Sequence, residues 1–217
     1  MQRREFSLSA VAATAASSGL LLPNLAQAQA KAPKEGSDYL LLDRPAPTEA
    51  PAGKVEVVEF FWYSCPHCNA FEPQLTAWLA KMSKNVSFRR APIAFRPDFE
   101  PQQRLYYVLE GMNRLGDLHA KVFYAIHVEK QTLNNAEQIA NWIAKQGVDK
   151  AKFMQAYESF PVVTKVRKAV QLQDAYKVDG VPALGIAGKY YTSGSQAQSM
   201  ERALTVVDYL VGLQIKA

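Results

Sequence analysis

Two cysteines three positions apart, Cys65 and Cys68, are the only ones in the 217-residue chain, and they constrain its fold more than any other feature. A disulfide framework needs several bridges to distant loops, and an all-cysteine structural zinc site needs four ligands, so neither can hold this chain together. The core must come from apolar burial. The composition allows it: 48% hydrophobic and 21% charged residues fall in the globular range and exclude a disordered or collagen-like chain. The length fits one domain, or one domain carrying an insert. The net charge of +5 comes from scattered Lys and Arg, which reads as solubility and not as a nucleic-acid footprint.

The surroundings of the pair give it a purpose. Val55-Glu56-Val57-Val58-Glu59-Phe60-Phe61 is a β-branched and aromatic run of strand length. A helix is expected from Pro66, which suits the first helical position because its missing N–H would have no partner there. Phe71, Leu75, Trp78, Leu79 and Met82 then share one face, and Pro73 is expected to bend the helix. Cys65-Pro66-His67-Cys68 thus lies between a buried strand and a helix, the setting in which such a pair reads as redox-active. Cys65 falls at the helix start, where free N–H groups and the positive dipole end favour a thiolate, and His67 can add an N–H or a charge. Stabilising that thiolate stabilises the dithiol and makes the Cys65–Cys68 disulfide the better oxidant. Cys68, one turn inside, is the resolving sulfur.

Other readings of the pair are weaker. A structural clasp over so short a loop constrains little chain entropy. A zinc site would need two more ligands from His119, His127 or carboxylates, and none is suitably spaced, so no metal is expected. Haem attachment needs His after the second cysteine, where Asn69 stands. His119 and His127 themselves read as ordinary surface or core residues. Glu59 is notable because a carboxylate in an apolar strand is costly and has a raised pKa unless a buried cation meets it. Trp62, Tyr63, Tyr190 and Tyr191 read either as core aromatics or as the flanks of a peptide groove.

Elsewhere the pattern places a short strand at 39–42, a strand at 86–90, and helices at about 102–115, 118–129, 136–146, 150–159 and 162–176. Strands return at 183–187 and 189–192, with a last helix over 199–213. Strand character on both sides of the helical block implies an α/β domain with a helical insertion. Residues 1–30 carry Arg3 and Arg4, an Ala/Ser/Leu stretch and small-residue sites at Ala26-Gln27-Ala28 and Ala28-Gln29-Ala30, the order of a cleaved secretory signal. Arg3-Arg4-Glu5-Phe6 partly resembles the twin-arginine export motif, and the general secretory route fits as well. Export implies an oxidising compartment. Residues 31–37 read as a flexible lead-in.

Glu59-Phe60-Phe61-Trp62-Tyr63-Ser64-Cys65-Pro66-His67-Cys68, with Gly180-Val181-Pro182-Ala183 about 115 residues later, resembles the DsbA thiol:disulfide oxidoreductases over essentially the whole mature chain. The resemblance implies a thioredoxin fold, a mixed central sheet flanked by helices, over 38–97 and 179–217, with an all-helical insertion at 98–178. It implies that Val181-Pro182, otherwise an ordinary trans loop proline, is cis, faces the cysteines and leaves the Val181 backbone free to pair with substrate. It implies that Glu59 moves protons for Cys68; the family's lysine partner falls near Arg90, a departure expected to hold Glu59 ionised. The implied activity is oxidation of reduced, unfolded proteins in the periplasm by a monomer, through a mixed disulfide at Cys65 with Cys68 leaving as a stabilised thiolate. The implied reoxidation runs through a DsbB-like membrane protein linked to quinone; the sequence carries no Rossmann glycine fingerprint, so no soluble cofactor is expected. A reductase or isomerase of the same fold and a peptide-binding chaperone are the alternatives.

Overall fold

The structure, a computed structural model, describes residues 32–216. The signal segment expected at residues 1–30 lies outside them. Among the described residues no helix is long and apolar enough to cross a membrane. The flexible lead-in does not persist through residue 37. From Lys34 the chain is tied down, with the Lys34 N–H on the Asp38 carboxylate, Gly36 N–H on Tyr39 O, and Arg202 paired to Asp38.

Five strands form one mixed sheet in the order β1-β5-β4-β2-β3. They are β1 (Leu40–Leu41), β2 (Val55–Phe61), β3 (Val86–Pro92), β4 (Ala183–Ile186) and β5 (Tyr190–Ser193). β2 and β3 are parallel and joined by α1 (Pro66–Leu79), while β4 and β5 run antiparallel. β2 is buried along its whole length, as its unbroken apolar run demands. Its side chains alternate: Val57 packs in the cluster built with Phe71, Leu75 and the last helix, and Val58 and Phe60 pack on the opposite face with Leu172 and Tyr176.

Five helices intervene between β3 and β4: α2 (Glu100–Gly111), α3 (Leu115–His127), α4 (Ala136–Lys145), α5 (Lys150–Tyr157) and α6 (Phe160–Ala175). They enclose a core of Leu105, Leu109, Leu118, Val122, Ile139, Ile143 and Phe153, and that core is continuous with Phe61, Tyr63, Cys65 and Cys68. The last elements are a single turn, α7 (Gly194–Ala197), and α8 (Met200–Lys216). The architecture is therefore a thioredoxin-type α/β fold with a helical insertion.

α1 runs unbroken through Pro73. One local boundary changes. α3 begins at Leu115, three residues before the expected start, so Gly116 sits in its first turn, where the N–H groups lack helical partners in any case.

Candidate active site

The sheet register builds the site. β4 runs antiparallel to β2 with Ala183 opposite Phe60, so the residues just before β4 meet the chain just after β2. The Val181–Pro182 peptide is cis, and the Cys65 thiol points at Val181 O at 3.4 Å. Cys65 is the cap of α1. Its backbone is extended, with φ −78° and ψ 117°, and its sulfur accepts the Cys68 N–H at 3.4 Å. Pro66 holds the first helical position, and both it and His67 are exposed.

Both cysteines are thiols in this structure, and their environments are opposite. The Cys65 pKa falls to about 6. The largest cause is the hydrogen bond from the Cys68 thiol; burial opposes it, and the backbone N–H groups of Cys68 and His67 and the His67 charge add to it. The helix start and His67 were the expected causes, and the neighbouring thiol outweighs both. Cys68 is fully buried, and burial pushes its thiol far above the ordinary range, with the bond to Cys65 and the nearby Glu59 acting the same way. In the dithiol form this direction runs against the stabilised Cys68 thiolate that was expected.

Glu59 is completely buried on β2. The parallel register sets it opposite Arg90 of β3, whose Nε donates to Glu59 Oε2 at 2.7 Å. Glu59 Oε1 has no hydrogen-bond partner. Arg90 also donates through Nη2 to both oxygens of Glu72 on α1, at 3.2 and 3.1 Å. One guanidinium is thus shared by two carboxylates, and the deeper one loses. Burial raises the Glu59 pKa to about 8 against the pull of Arg90. Glu72 is also raised by burial, but bonds from His119 and the Arg90 charge outweigh this and leave it below the ordinary range. The expectation that Arg90 would hold Glu59 ionised is therefore corrected: the pair forms, but burial and the second carboxylate win.

His119 and His127, expected to be ordinary surface or core residues, bond at the site, and so does Gln102. His119 is buried, its pKa lowered by that burial. Its Nδ1 accepts the Tyr63 hydroxyl at 2.8 Å, which leaves Nε2–H to face Glu72 at 3.4 Å and fixes the neutral tautomer. His127 donates from Nε2 to Tyr63 O at 2.8 Å. Gln102 meets Ser64 with both ends of its amide. A groove flanked by Trp62, Tyr63, Tyr190 and Tyr191 is not what forms. Tyr63 and Tyr191 are buried in core clusters, Tyr190 packs edge-on to Tyr39, and Trp62 stacks on Phe99 at 3.8 Å. No group of three or more His, Cys, Asp and Glu side chains suited to a metal lies among the described residues.

A capped dithiol at the end of a buried strand, opposite a cis-proline loop, defines a thioredoxin-fold redox protein. Comparison with known proteins narrows the class. A family model described as a DSBA-like thioredoxin domain matches residues 56–205. The thiol:disulfide interchange protein DsbA of Burkholderia cepacia is 44% identical over 88% of this chain and 90% of its own length. That of Bordetella parapertussis is 41% identical over 97% and 98%. A crystal structure of a Pseudomonas aeruginosa DsbA variant superposes with a TM-score of 0.82 and 39% identity, covering 85% of this chain and 99% of that one. The chain belongs to the DsbA family of thiol:disulfide interchange proteins and is a disulfide oxidoreductase.

Proposed function

We propose that the protein works in the oxidising direction, donating a Cys65–Cys68 disulfide to reduced, unfolded proteins newly delivered to the periplasm. The observation that carries this reading is the asymmetry of the two thiols: Cys65 is held toward its thiolate and Cys68 away from it. A dithiol stabilised by a thiolate yields a disulfide that is easily reduced.

A substrate thiolate attacks Cys65 Sγ. The substrate–Cys65 bond forms, the Cys65–Cys68 bond breaks, and the electron pair leaves on Cys68. Glu59, protonated below about pH 8, gives Cys68 its proton. A second substrate thiolate then attacks the substrate sulfur of the mixed disulfide, and Cys65 leaves as the favoured thiolate. The substrate departs oxidised, and the enzyme keeps two electrons as a dithiol. Val181, half-buried with its carbonyl beside Cys65, offers backbone to an extended substrate as an added strand. Cys65 keeps only 7% of its surface exposed, beside the exposed Pro66 and His67, and the substrate thiolate reaches it from that side.

Reoxidation reverses the electron flow. A DsbB-like membrane protein takes two electrons and passes them to quinone; with Cys65 a thiolate, the site releases one proton, from Cys68 to Glu59 as a carboxylate, and the remaining proton of the quinol comes from solvent. The two sulfurs carry the electrons, so no step calls on a soluble cofactor, and one monomer holds the whole site.

The test is oxidation of a reduced, unfolded substrate together with the equilibrium against glutathione. Wild type is expected to form disulfides and Cys65→Ser none, with the equilibrium favouring the dithiol. A strongly reducing potential would overturn the direction, and activity retained in Cys65→Ala would turn the reading into a non-redox chaperone.

A further inference from the structure

The nucleophile stands at the end of a short connection, residues 62–65, between β2 and α1. Its own backbone supplies one bond there, from Cys65 N–H to Trp62 O at 3.0 Å. Cys65 itself also bonds Val181, Cys68 and Asn69, and residues 63 and 64 are held by the insertion. Ser64 is clasped on both sides by Gln102, in the first turn of α2: the Ser64 N–H donates to Gln102 Oε1 at 3.1 Å, and Gln102 Nε2 donates to Ser64 Oγ at 2.7 Å. The same Nε2 donates to Leu133 O at 3.1 Å, between α3 and α4. His127 of α3 takes the neighbouring carbonyl, Tyr63 O. Gln102 is itself buried, so its amide is fixed by these partners and cannot exchange them for water at little cost.

The position of this clasp matters. Ser64 directly precedes Cys65, and what holds Cys65 toward its thiolate is contact at hydrogen-bond range: the Cys68 thiol and the N–H groups of Cys68 and His67. Such contacts fade steeply with distance and angle. The sulfur must also stay beside Val181 O, on a different strand. Cys65 can serve both sides only if the residue before it is held still.

We propose that Gln102 is a positioning residue for the reaction: its amide clasps Ser64 and so fixes Cys65 against the α1 N–H groups and the Val181 carbonyl, making the helical insertion part of the device that places the nucleophile. The inference rests on Cys65 being the nucleophile, as proposed above. Gln102 touches no reacting atom and acts through Ser64.

The test is the thiolate absorbance of Cys65 titrated with pH, and the glutathione equilibrium, in Gln102→Leu, Ser64→Ala and Gln103→Leu. Gln103, the next residue on α2, is equally buried and donates to Pro92 O at 2.8 Å, away from the connection. It reports what losing a buried amide does to stability alone. Gln102→Leu is expected to raise the Cys65 titration by about half a pH unit, a roughly threefold fall in the thiolate-to-thiol ratio at fixed pH. The glutathione equilibrium should move by about the same factor toward the disulfide. Ser64→Ala, which keeps the N–H bond and loses the hydroxyl, should shift both in the same direction by less. Gln103→Leu should lower the unfolding midpoint and leave both unchanged. If Gln102→Leu does not fold, Ser64→Ala decides. Titrations matching wild type in the folded variants, or an equal shift in Gln103→Leu, would overturn the positioning role while leaving the Cys65→Ser result, and with it the proposed function, untouched.

Discussion

At the scale of single residues, the site works because neighbouring groups are pushed apart in acidity. Cys65 is drawn down by hydrogen bonds, while Cys68 is pushed up by burial. Glu59 and Glu72 share Arg90 and also part ways, Glu59 above the ordinary range and Glu72 below it. Glu59 makes this measurable. Its folded pKa of about 8 lies above the ordinary 4.5, so across that window the native state keeps a proton that the unfolded state has lost. Stability from such a group is complete below the lower value and is lost as pH rises through the upper one. Glu59→Gln removes this dependence, so the variant's stability relative to wild type should climb with pH from about 4.5 to about 8, read from urea midpoints. Its rate of reoxidation should also lose any inflection near the upper value. A flat stability difference would contradict the raised acidity constant, and an unaltered rate profile would remove Glu59 from proton transfer. The cysteines and Glu59 were legible because each breaks a local rule: lone thiols in a thiol-poor chain, a carboxylate in an apolar strand. Gln102 and Glu72 were not, because Gln and Glu on a helix ordinarily face water. A trace existed for Gln102, which stands three, four and seven residues before the buried Leu105, Tyr106 and Leu109, on the apolar face of α2.

At the scale of elements, the strands carry the site and tolerate little change. β4 is central in the sheet, and its Gly185 lies where a Cβ would meet the Tyr176 ring and come within 2.8 Å of Val58 Cγ1. The ring cannot step aside at little cost, because Tyr176 is buried and its hydroxyl accepts the Gly188 N–H at 3.0 Å. Gly185→Ala should therefore lower stability by about 1–3 kcal/mol through overpacking. The denaturant midpoint measures it, and a neutral result would mean that the β4–α6 contact is looser than it stands here. The run from Val55 to Phe61 and the helix after it were readable, since an unbroken apolar strand and a proline-started helix leave few other conformations. The single turn α7 was not, because four residues, Gly194–Ala197, carry no period, and a Ser193 cap bonded to the Gln196 N–H is what makes it. Pro73 lies inside α1 without ending it. A proline inside a helix removes one bond and crowds one carbonyl, but packing of Phe71 and Leu75 against the sheet cluster holds α1 together across it.

At the scale of the molecule, the insertion falls between β3 and β4, so the chain leaves the sheet and returns to lay β4 beside β2. Strand patterns on both sides of a helical block made that topology legible, whereas the contacts from α2 and α3 back to residues 63–64 depend on tertiary placement that no spacing reveals. The redox state of the pair then acts on the stability of the whole fold. Reduced protein contains a thiol whose folded pKa, about 6, lies below its ordinary 9.0, and the disulfide form has no such group. A depressed acid contributes stability that is full above its unfolded pKa and is lost as pH falls through the folded one. Cys68 does not oppose this in the same window, because its thiol stays protonated in both folded and unfolded chains until about pH 9. The stability of the dithiol form relative to the disulfide form should therefore increase steadily as pH rises from about 6 to about 9. Paired urea titrations of the two forms across that range measure it. A difference that did not grow would mean that the Cys65 thiolate is not what the folded protein favours, and the oxidising direction would lose its driving force. A difference that grows ties one sulfur at the start of α1 to the direction in which the whole molecule exchanges disulfides.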